Sequence, residues 1–276
     1  MSTEPPLRIL VIGAHPDDCD IKAGGVAAKY AALGHRVRFV SMTNGDAGHH
    51  EIGGVELVRR RRAEAAAAAQ VIGIEYQLLD HHDGQLEPSV VNRKTTIRLI
   101  REFQPDLILT HRPNDYHPDH RYTSVLVQDA SYLITVPNLC TDTPALKRTP
   151  VIAYLSDHFQ KPYPFSPDVA VSIDDTVELK LEMLHCHTSQ FYEWLPWHDG
   201  LLDQMPQDQS QRRQWLRDWM ITPQDTALAD QHRELLVRWY GPEQGAAVQH
   251  AELFELCEYG RQPDEPELRR LFPFFS

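Results

Sequence analysis

The chain has 276 residues, of which 42% are apolar, and its formal net charge is −12. This length and apolar content suffice for the core of one large domain, so the composition excludes disorder as the main state. The net charge disfavours nonspecific binding to nucleic acid or to anionic membranes, because both reward a basic surface.

Two further features bear on location and on metal chemistry. The first residues lack the cationic and apolar regions of a secretory signal, and no run approaches the roughly 20 apolar residues of a membrane span, so we expect a cytoplasmic protein. The four cysteines are scattered without a CxxC pair, which disfavours a disulfide framework or a thiolate zinc site. Any bound metal should therefore be held by nitrogen and oxygen atoms.

Short apolar runs alternate with helical stretches along the first two thirds of the chain. The predicted strands are residues 7–14, 36–43, 75–80, 106–110, 149–156 and 169–173. The predicted helices are residues 21–33, 55–73, 90–104 and 174–190. This alternation, with short links that contain glycine, is typical of βαβ units and a parallel sheet.

We therefore predict an α/β fold: a Rossmann-like, mostly parallel sheet sandwiched by helices, with a C-terminal helical extension. Residues 1–198 are expected to form the core, and residues 199–276 a helical insertion and C-terminal segment packed on the same domain. From about residue 199 to 238 the composition shifts to Gln, Asp, Arg and Trp without strand patterning.

The first predicted strand runs directly into His15, Pro16, Asp17 and Asp18. Pro16 biases His15 towards an extended backbone, so the imidazole should project from the strand end while the two aspartates begin the turn into the next helix. Adjacent carboxylates then point in different directions. One of them can bind a metal ion while the other stays free as a base.

The fourth predicted strand is followed by HRPNDYHPDH, residues 111–120, which supplies His117, Asp119 and His120. Pro118 should stiffen this loop. Ligands bind at the carboxyl ends of parallel strands, so both motifs should meet at one rim of the sheet. Two imidazoles and one carboxylate with an open fourth position form the ligand set of a catalytic zinc ion, which points to hydrolysis.

The remaining histidine of this segment, His117, has a separate expected role. Held charged by Asp119, it is a candidate to stabilise an oxyanion and then to protonate a leaving amine. Taken alone, each of these histidines is more often a surface or hydrogen-bonded residue, and each aspartate a helix cap. Their occurrence after two predicted parallel strands favours a metal site.

The segments AHPDDCD (residues 14–20) and RPNDYHPDHR (residues 112–121) resemble the PIG-L/LmbE-like family of zinc-dependent N-acetylglucosaminyl deacetylases. The resemblance extends to the Arg-Arg-Ala-Glu sequence at 61–64, to Lys180 and to His-Thr-Ser-Gln at 187–190, and so covers about residues 7–190. It implies a Rossmann-like fold and removal of an acetyl group from N-acetylglucosamine-type substrates.

The resemblance also implies a role for individual residues. The implied zinc ligands are His15, Asp18 and His120, a set that ferrous iron can also occupy. By the same resemblance Asp17 is the general base, His117 is the electrostatic stabiliser or acid, and Asp119 orients His117. Arg61 would reach towards substrate hydroxyls. Where some sugar deacetylases of the family carry a tyrosine, this chain has Asp115, followed by Tyr116.

Other histidines and aromatic residues give weaker indications of contact with a substrate. His185 and His187 lean to opposite faces of a helix, so at most one should reach the pocket, and we expect that one to be His187. His49 and His50 are expected at the surface rather than in contact with substrate. The aromatic residues between 191 and 197 are expected in the core or an interface, with stacking on a pyranose as the alternative.

The sequence therefore predicts a metal-dependent amidohydrolase that deacetylates a small amino sugar or its conjugate. Two alternatives stay open: hydrolysis of another amide or of an ester at the same metal, and binding of a sugar or nucleotide without turnover. The glycines after the first strand lack Gly-x-Gly-x-x-Gly spacing, which disfavours a dinucleotide cofactor. The Trp-rich segment 194–219 leaves a homo-oligomer open.

Overall fold

The computed structural model describes residues 5–275, which form one mixed sheet flanked by helices. Its strands are β1 (Arg8–Gly13), β2 (Arg36–Thr43), β3 (Glu75–His81), β4 (Leu107–Thr110), β5 (Val151–Leu155), β6 (Val169–Ser172) and β7 (Ala251–Leu256). The helices of the first two thirds are α1 (Asp18–Ala32), α2 (Gly54–Ile72), α3 (Val90–Phe103), α4 (Pro118–Leu133) and α5 (Val177–Cys186).

The last third of the chain is mostly short helices. Two segments are π-helical, Gln190–Trp194 and Arg217–Thr226, and Leu202–Gln204 is a 3₁₀ turn. The α-helices are α6 (Leu195–His198), α7 (Gln209–Leu216), α8 (Ala227–Gln231), α9 (Arg233–Tyr240), α10 (Pro242–Ala247) and α11 (Glu265–Leu271). None of the helices in the described part of the chain is both long and apolar enough to span a bilayer.

The strand order is β3-β2-β1-β4-β5-β7-β6. The strands from β3 to β5 in this order are parallel, and β7 is antiparallel to both β5 and β6. The chain therefore leaves β1 on one side to build β2 and β3, and then returns to the other side of β1 for β4. Such a reversal opens a crevice at the carboxyl ends of two neighbouring strands, where α/β proteins bind ligands.

Alternation along β1 divides the core into two layers. Ile9 and Val11 belong to an apolar cluster that includes residues of α1 and α11. Leu10 and Ile12 belong to a second cluster with residues of α3 and α4. Because helices cover both faces of the sheet, the strand is apolar throughout. The predicted sandwich of a mostly parallel sheet between helices is confirmed.

Two helix predictions near the crevice need correction. Helix α1 begins at Asp18 rather than at residue 21, so Asp18 lies in its first turn. Helix α4 was not predicted at all, because Pro118 was expected to stiffen a loop. Pro118 instead occupies the first turn of α4, where proline is tolerated because its missing N–H would have no acceptor within the helix.

Strand β7 is the main departure from the predicted C-terminal helical segment. Its sequence AELFEL carries two glutamates, which interrupt the apolar run and mask the strand. Glu252 is nevertheless 2% exposed, because its carboxylate accepts hydrogen bonds from the backbone N–H groups of Gly25 and Val26 at 3.0 and 2.8 Å. It also pairs with Lys180 at 3.0 Å. The segment after residue 198 therefore contributes a strand to the core sheet.

Candidate metal centre

The two histidine-containing motifs meet at the crevice between β1 and β4. These strands pair in register from Ile9 with Leu107 to Ile12 with Thr110, so the segments that follow them leave the sheet side by side. His15 follows β1, and His120 lies in the first turn of α4. The Nδ1 atom of His15 and the Nε2 atom of His120 are 3.1 Å apart.

Asp18 completes a triangle of side chains with these two histidines, and it approaches each of them through a different carboxylate oxygen. Its Oδ1 atom is 3.4 Å from Nε2 of His120, and its Oδ2 atom is 3.5 Å from Nδ1 of His15. Ligand atoms bound tetrahedrally to zinc at about 2.0–2.1 Å lie about 3.4 Å from one another. Each of these pairwise separations therefore suits a zinc-sized ion, and His15 and Asp18 also border an open cleft. Two groups of described side chains that could hold an ion overlap the triangle: Asp18 and His120 with His111, and His15 and His120 with His117.

The carboxylate of Asp18 is held in place by the end of β1. Its Oδ2 atom accepts hydrogen bonds from the backbone N–H groups of Ala14 at 2.9 Å and His15 at 2.7 Å. This approach requires glycine at position 13, because a Cβ atom on Gly13 would lie 2.8 Å from the Cβ atom of Asp18. Burial alone would raise the pKa of Asp18, but the neighbouring His120 and His111 hold it well below its usual range.

Carboxylates face the other ring nitrogen of each histidine in the triangle. Nε2 of His15 lies 3.2 Å from Asp83 and 3.4 Å from Asp119, and Nδ1 of His120 lies 3.1 Å from Asp115. These are ion-pair distances, although their angles are not those of regular hydrogen bonds. Metal-binding histidines commonly have such carboxylate partners, which fix the orientation of the ring.

The pKa of His15 reflects the negative charge of the carboxylates around the triangle. Burial alone would lower the pKa, yet the carboxylates of Asp119, Asp18 and Asp83 raise it well above its usual range. A field that binds a proton so strongly also favours a divalent cation.

Asp17 lies beside the triangle without belonging to it. It occupies the N-cap position of α1, but its side chain makes no capping hydrogen bond. Its Oδ2 atom lies instead 3.1 Å from Nη2 of Arg61, and both side chains line the cleft. Burial raises the pKa of Asp17, although the charge of Arg61 opposes the shift. The structure thus brings the expected base and the expected substrate contact together.

His117 also lines the cleft, with its ring 4.5 Å from that of His15. Its Nδ1 atom accepts a hydrogen bond from the backbone N–H of Asp119 at 3.2 Å, so His117 caps α4. Burial and the neighbouring imidazoles of His15 and His120 lower the pKa of His117. The expectation of a charged His117 is therefore not supported.

Asp119 takes a different place from the one expected. Its carboxylate lies 4.0 Å from Nδ1 of His117, farther than the 3.4 Å that separates it from His15. It also accepts a hydrogen bond from the backbone N–H of Gly84 at 2.7 Å. Asp119 therefore positions His15 and the loop after β3 through its carboxylate, and contacts His117 mainly through its backbone.

His187 does not line the cleft. Its side chain is fully buried, and its Nε2 atom lies 3.3 Å from Oδ2 of Asp20, which also accepts a hydrogen bond from the Tyr76 hydroxyl at 3.0 Å. The expectation that His187 reaches a substrate is not met, because α5 ends at Cys186 and helical spacing no longer applies to the next residue.

Sequence reasoning gave no role to three side chains of this site: His111, Asp83 and Asp115. His111 stacks on His120 with ring centroids 4.0 Å apart, and burial together with the charge of His120 lowers the pKa of His111 to about 4. His111 and Asp83 each follow a parallel strand within two residues, so an inspection of every strand end could have found them. Asp115 carries no such signal, because it lies inside the loop before α4.

The cleft beside the triangle has a volume of about 430 Å³, within the range of about 300–1,000 Å³ typical of small-molecule sites. Its lining includes the carboxylates of Asp17, Asp18 and Asp83. Among the described residues that line it, Arg61 is the one arginine or lysine, and its guanidinium is paired with Asp17. The cleft therefore suits a neutral ligand better than a multiply charged anion.

Known proteins similar to this chain include deacetylases and a hydratase. Residues 10–131 match the family described as PIG-L, GlcNAc-PI de-N-acetylase. The chain is 32% identical over 206 residues to a diacetylchitobiose deacetylase of Thermococcus kodakarensis, covering 70% of this chain and 74% of that protein. It is 26% identical over 201 residues to a 4-oxalmesaconate hydratase of Pseudomonas putida, covering 69% of this chain and 76% of that protein.

A solved structure shows a similar architecture over most of the chain. The N,N'-diacetylchitobiose deacetylase from Pyrococcus horikoshii superposes with a TM-score of 0.68 and 26% sequence identity. The match covers 91% of this chain and 84% of that protein.

Proposed function

The chain belongs to the PIG-L family, and from this premise we propose that it is a zinc-dependent deacetylase, which hydrolyses the N-acetyl group of an N-acetylglucosamine-type sugar or its conjugate. The observation that carries the proposal is the triangle of side chains from His15, Asp18 and His120, whose nitrogen and oxygen atoms approach one another pairwise at 3.1–3.5 Å. A free carboxylate, Asp17, lies directly beside it in the cleft.

In this proposal His15, Asp18 and His120 hold the ion. Zinc, when bound, supplies the Lewis acidity that polarises a carbonyl group and activates water near neutral pH. Asp17 takes a proton from the attacking water, and Arg61 holds the Asp17 carboxylate towards the cleft. The same proton then passes to the amine as the C–N bond breaks, which yields acetate and a free amino sugar.

His117 acts as a neutral donor in this proposal. Because its Nδ1 atom accepts the hydrogen bond from the backbone N–H of Asp119, the proton of the neutral imidazole resides on Nε2. That N–H group can donate to the oxyanion that develops on the acetyl oxygen. The electrostatic stabiliser proposed for this reaction therefore needs no charged imidazole.

The hydratase relative offers a different chemistry on the same framework. An oxalmesaconate carries several carboxylate groups, and an enzyme that binds such an anion needs cations free to pair with it. The only arginine among the described cleft residues is paired with Asp17, while three further carboxylates surround the triangle. Apart from the metal ion itself, the described lining residues therefore offer no arginine or lysine free to pair with a polycarboxylate, which favours a neutral amide.

The test is a comparison of acetate release across substrate classes with zinc-loaded protein. The panel holds N-acetylglucosamine, N,N'-diacetylchitobiose, a simple acetate ester and 4-oxalmesaconate. We expect equal amounts of acetate and free amine from an N-acetyl sugar, and no addition of water to 4-oxalmesaconate. Protein that binds one equivalent of zinc yet releases no acetate from any N-acetylglucosamine conjugate would contradict the proposal.

The choice of zinc over ferrous iron is tested separately. Protein purified without oxygen is analysed for metals, stripped with a chelator and reloaded with each ion. We expect zinc to restore acetate release more fully than ferrous iron. Higher activity with iron would correct the metal and leave the deacetylase proposal intact.

A further inference from the structure

Four aromatic rings form a continuous stack that reaches the cleft at one end. Trp194 lines the cleft, and its ring stacks on that of Trp197 with centroids 5.4 Å apart and planes inclined by 21°. Trp197 stacks on His50 at 5.0 Å and 7°, and His50 stacks on His49 at 4.7 Å and 16°. We call these four side chains the aromatic stack.

The aromatic stack joins two segments of the chain and is anchored by charge. Nε2 of His49 lies 2.9 Å from Glu193, which also accepts a hydrogen bond from Nη1 of Arg60 at 2.7 Å. The side chains of His49 and His50 are only 2% and 11% exposed, so the expectation that they lie at the surface is wrong. The anchoring holds the Trp194 ring in one position at the cleft.

The surroundings of Trp194 combine an aromatic face with polar groups. Gln190 and His198 line the same cleft, and the His198 ring lies 5.7 Å from the ring of Trp194. A pyranose presents an apolar C–H face to an aromatic ring and hydroxyl groups around its edge to polar side chains. The wall around Trp194 has the chemistry to bind such a ring.

The aromatic stack is separate from the reacting centre. Among the described residues, no ring contact links Trp194 to His15, His117 or His120, which contact one another. An amide that reacts at Asp17 therefore leaves Trp194 free for another part of the same molecule. The cleft joins both places, since Trp194 and Asp17 line it together.

We infer that Trp194 binds a second sugar ring, linked to the one that carries the acetyl group, and so selects disaccharides or longer glycosides over the free monosaccharide. This inference rests on the proposed function and narrows its substrate class. Trp194 is here a specificity residue, and it takes no part in bond breaking.

The experiment compares N-acetylglucosamine with N,N'-diacetylchitobiose as substrates of the zinc-loaded enzyme. We expect Trp194→Leu to raise KM for the disaccharide roughly 3- to 10-fold, the range given by one aromatic contact. The kcat value and the KM for the monosaccharide should change less than about twofold. Trp194→Tyr, which keeps an aromatic face, should restore most of the affinity.

A matched control is Tyr259→Leu, which removes an exposed aromatic ring that neither lines the cleft nor belongs to the aromatic stack, and which should leave the KM values of both sugars unchanged. Thermal unfolding of each variant separates misfolding from lost binding. Equal KM changes for both sugars in Trp194→Leu, or none for the disaccharide, would overturn the inference.

A binding experiment keeps this test independent of turnover. The deacetylated disaccharide chitobiose and the monosaccharide glucosamine are titrated calorimetrically into the wild type and Trp194→Leu. We expect the variant to lose affinity for chitobiose alone, and equal affinity of both proteins for chitobiose would overturn the inference. If the wild type releases no acetate but the titration gives the expected result, the proposed function fails and the second-ring site remains.

Discussion

Asp17 and Asp18 are neighbours in the chain with opposite environments. Asp18 accepts two backbone hydrogen bonds from the end of β1 and faces the imidazoles, which lowers its pKa. Asp17 accepts no capping hydrogen bond, and burial raises its pKa. The helix start at Asp18 causes this divergence, because the N-cap residue and the first helical residue point their side chains in different directions. One carboxylate is thus suited to ligate a cation and the other to accept a proton.

Because Asp17 and Asp18 have separate roles, we expect different effects when each is replaced by asparagine. Asp17→Asn should retain zinc but lose about 10²- to 10⁴-fold in kcat, the usual contribution of a general base. Asp18→Asn should lose both zinc and activity. Zinc content by elemental analysis and kcat for acetate release check both variants. A near wild-type kcat in Asp17→Asn would remove Asp17 as the base.

The position of Arg61 depends on the absence of a side chain at Gly45. Gly45 has a φ of +70°, and a Cβ atom there would lie 2.5 Å from Nη1 and 2.8 Å from Cδ of Arg61. We expect Gly45→Ala to displace the guanidinium from Asp17 and to lower kcat/KM by about tenfold or more, because small displacements at a reacting centre are costly.

The control for this variant is Gly34→Ala. Gly34 has a similar φ of +79° with nothing within 4 Å of its added Cβ atom, so it reports backbone strain alone, about 1 kcal/mol. Urea unfolding should show the same strain in both variants, with an additional loss in Gly45→Ala. Equal kcat/KM in the two variants would show that Gly45 does not position Arg61.

Among the strands, we predicted those that the hydrophobic pattern of the sequence reveals, and we missed the one that depends on tertiary contacts. Strand β2 has the predicted bounds, β1 is one residue shorter at each end, and β4 begins one residue later than predicted. These predictions succeed because buried parallel strands are continuous apolar runs. Strand β7 was missed because its buried Glu252 gains partners only from α1 and α5. In the same way, Asp115 comes to lie beside His120 only when the chain folds, so the sequence pattern could not reveal its role.

A buried ionic cluster joins α5, the second π-helical segment and β7. Nζ of Lys180 lies 2.9 Å from Asp225 and 3.0 Å from Glu252, and all three side chains are 2% exposed. Burial alone would lower the pKa of Lys180, but the two carboxylates raise it, so the ammonium stays charged. Removing this cation would leave two carboxylates buried without their partner.

We therefore expect Lys180→Met to lower the free energy of unfolding by about 3–5 kcal/mol, the usual cost of breaking a buried ion pair. Lys29→Met is the matched control, because Lys29 pairs with Asp175, whose side chain is 67% exposed. Such a surface pair should contribute less than about 1 kcal/mol. Denaturant unfolding of both variants measures the difference, and a loss in Lys180→Met as small as in Lys29→Met would refute a stabilising role for the cluster.

For the whole molecule, the distribution of charge links metal binding to folding. The net charge is −12, and five carboxylates, from Asp17, Asp18, Asp83, Asp115 and Asp119, surround the candidate metal centre. Without a cation these groups repel one another in a buried place. We therefore expect the folded chain to bind a divalent ion far more strongly than the unfolded chain, in which the same residues are dispersed.

This linkage predicts that removing the metal lowers the thermal stability. At a free zinc concentration 1,000 times the Kd, binding adds about 4 kcal/mol to the free energy of unfolding, which should raise Tm by several degrees. Differential scanning calorimetry of chelated and zinc-reloaded protein measures this shift.

Asp115→Asn, which removes the carboxylate facing His120, should weaken zinc binding by about 10- to 100-fold and so reduce the shift in Tm. Asp175→Asn, at an exposed residue that does not line the cleft, should leave the shift unchanged. A Tm that is the same with and without zinc in the wild type would show that the triangle of His15, Asp18 and His120 does not hold the ion in the folded state.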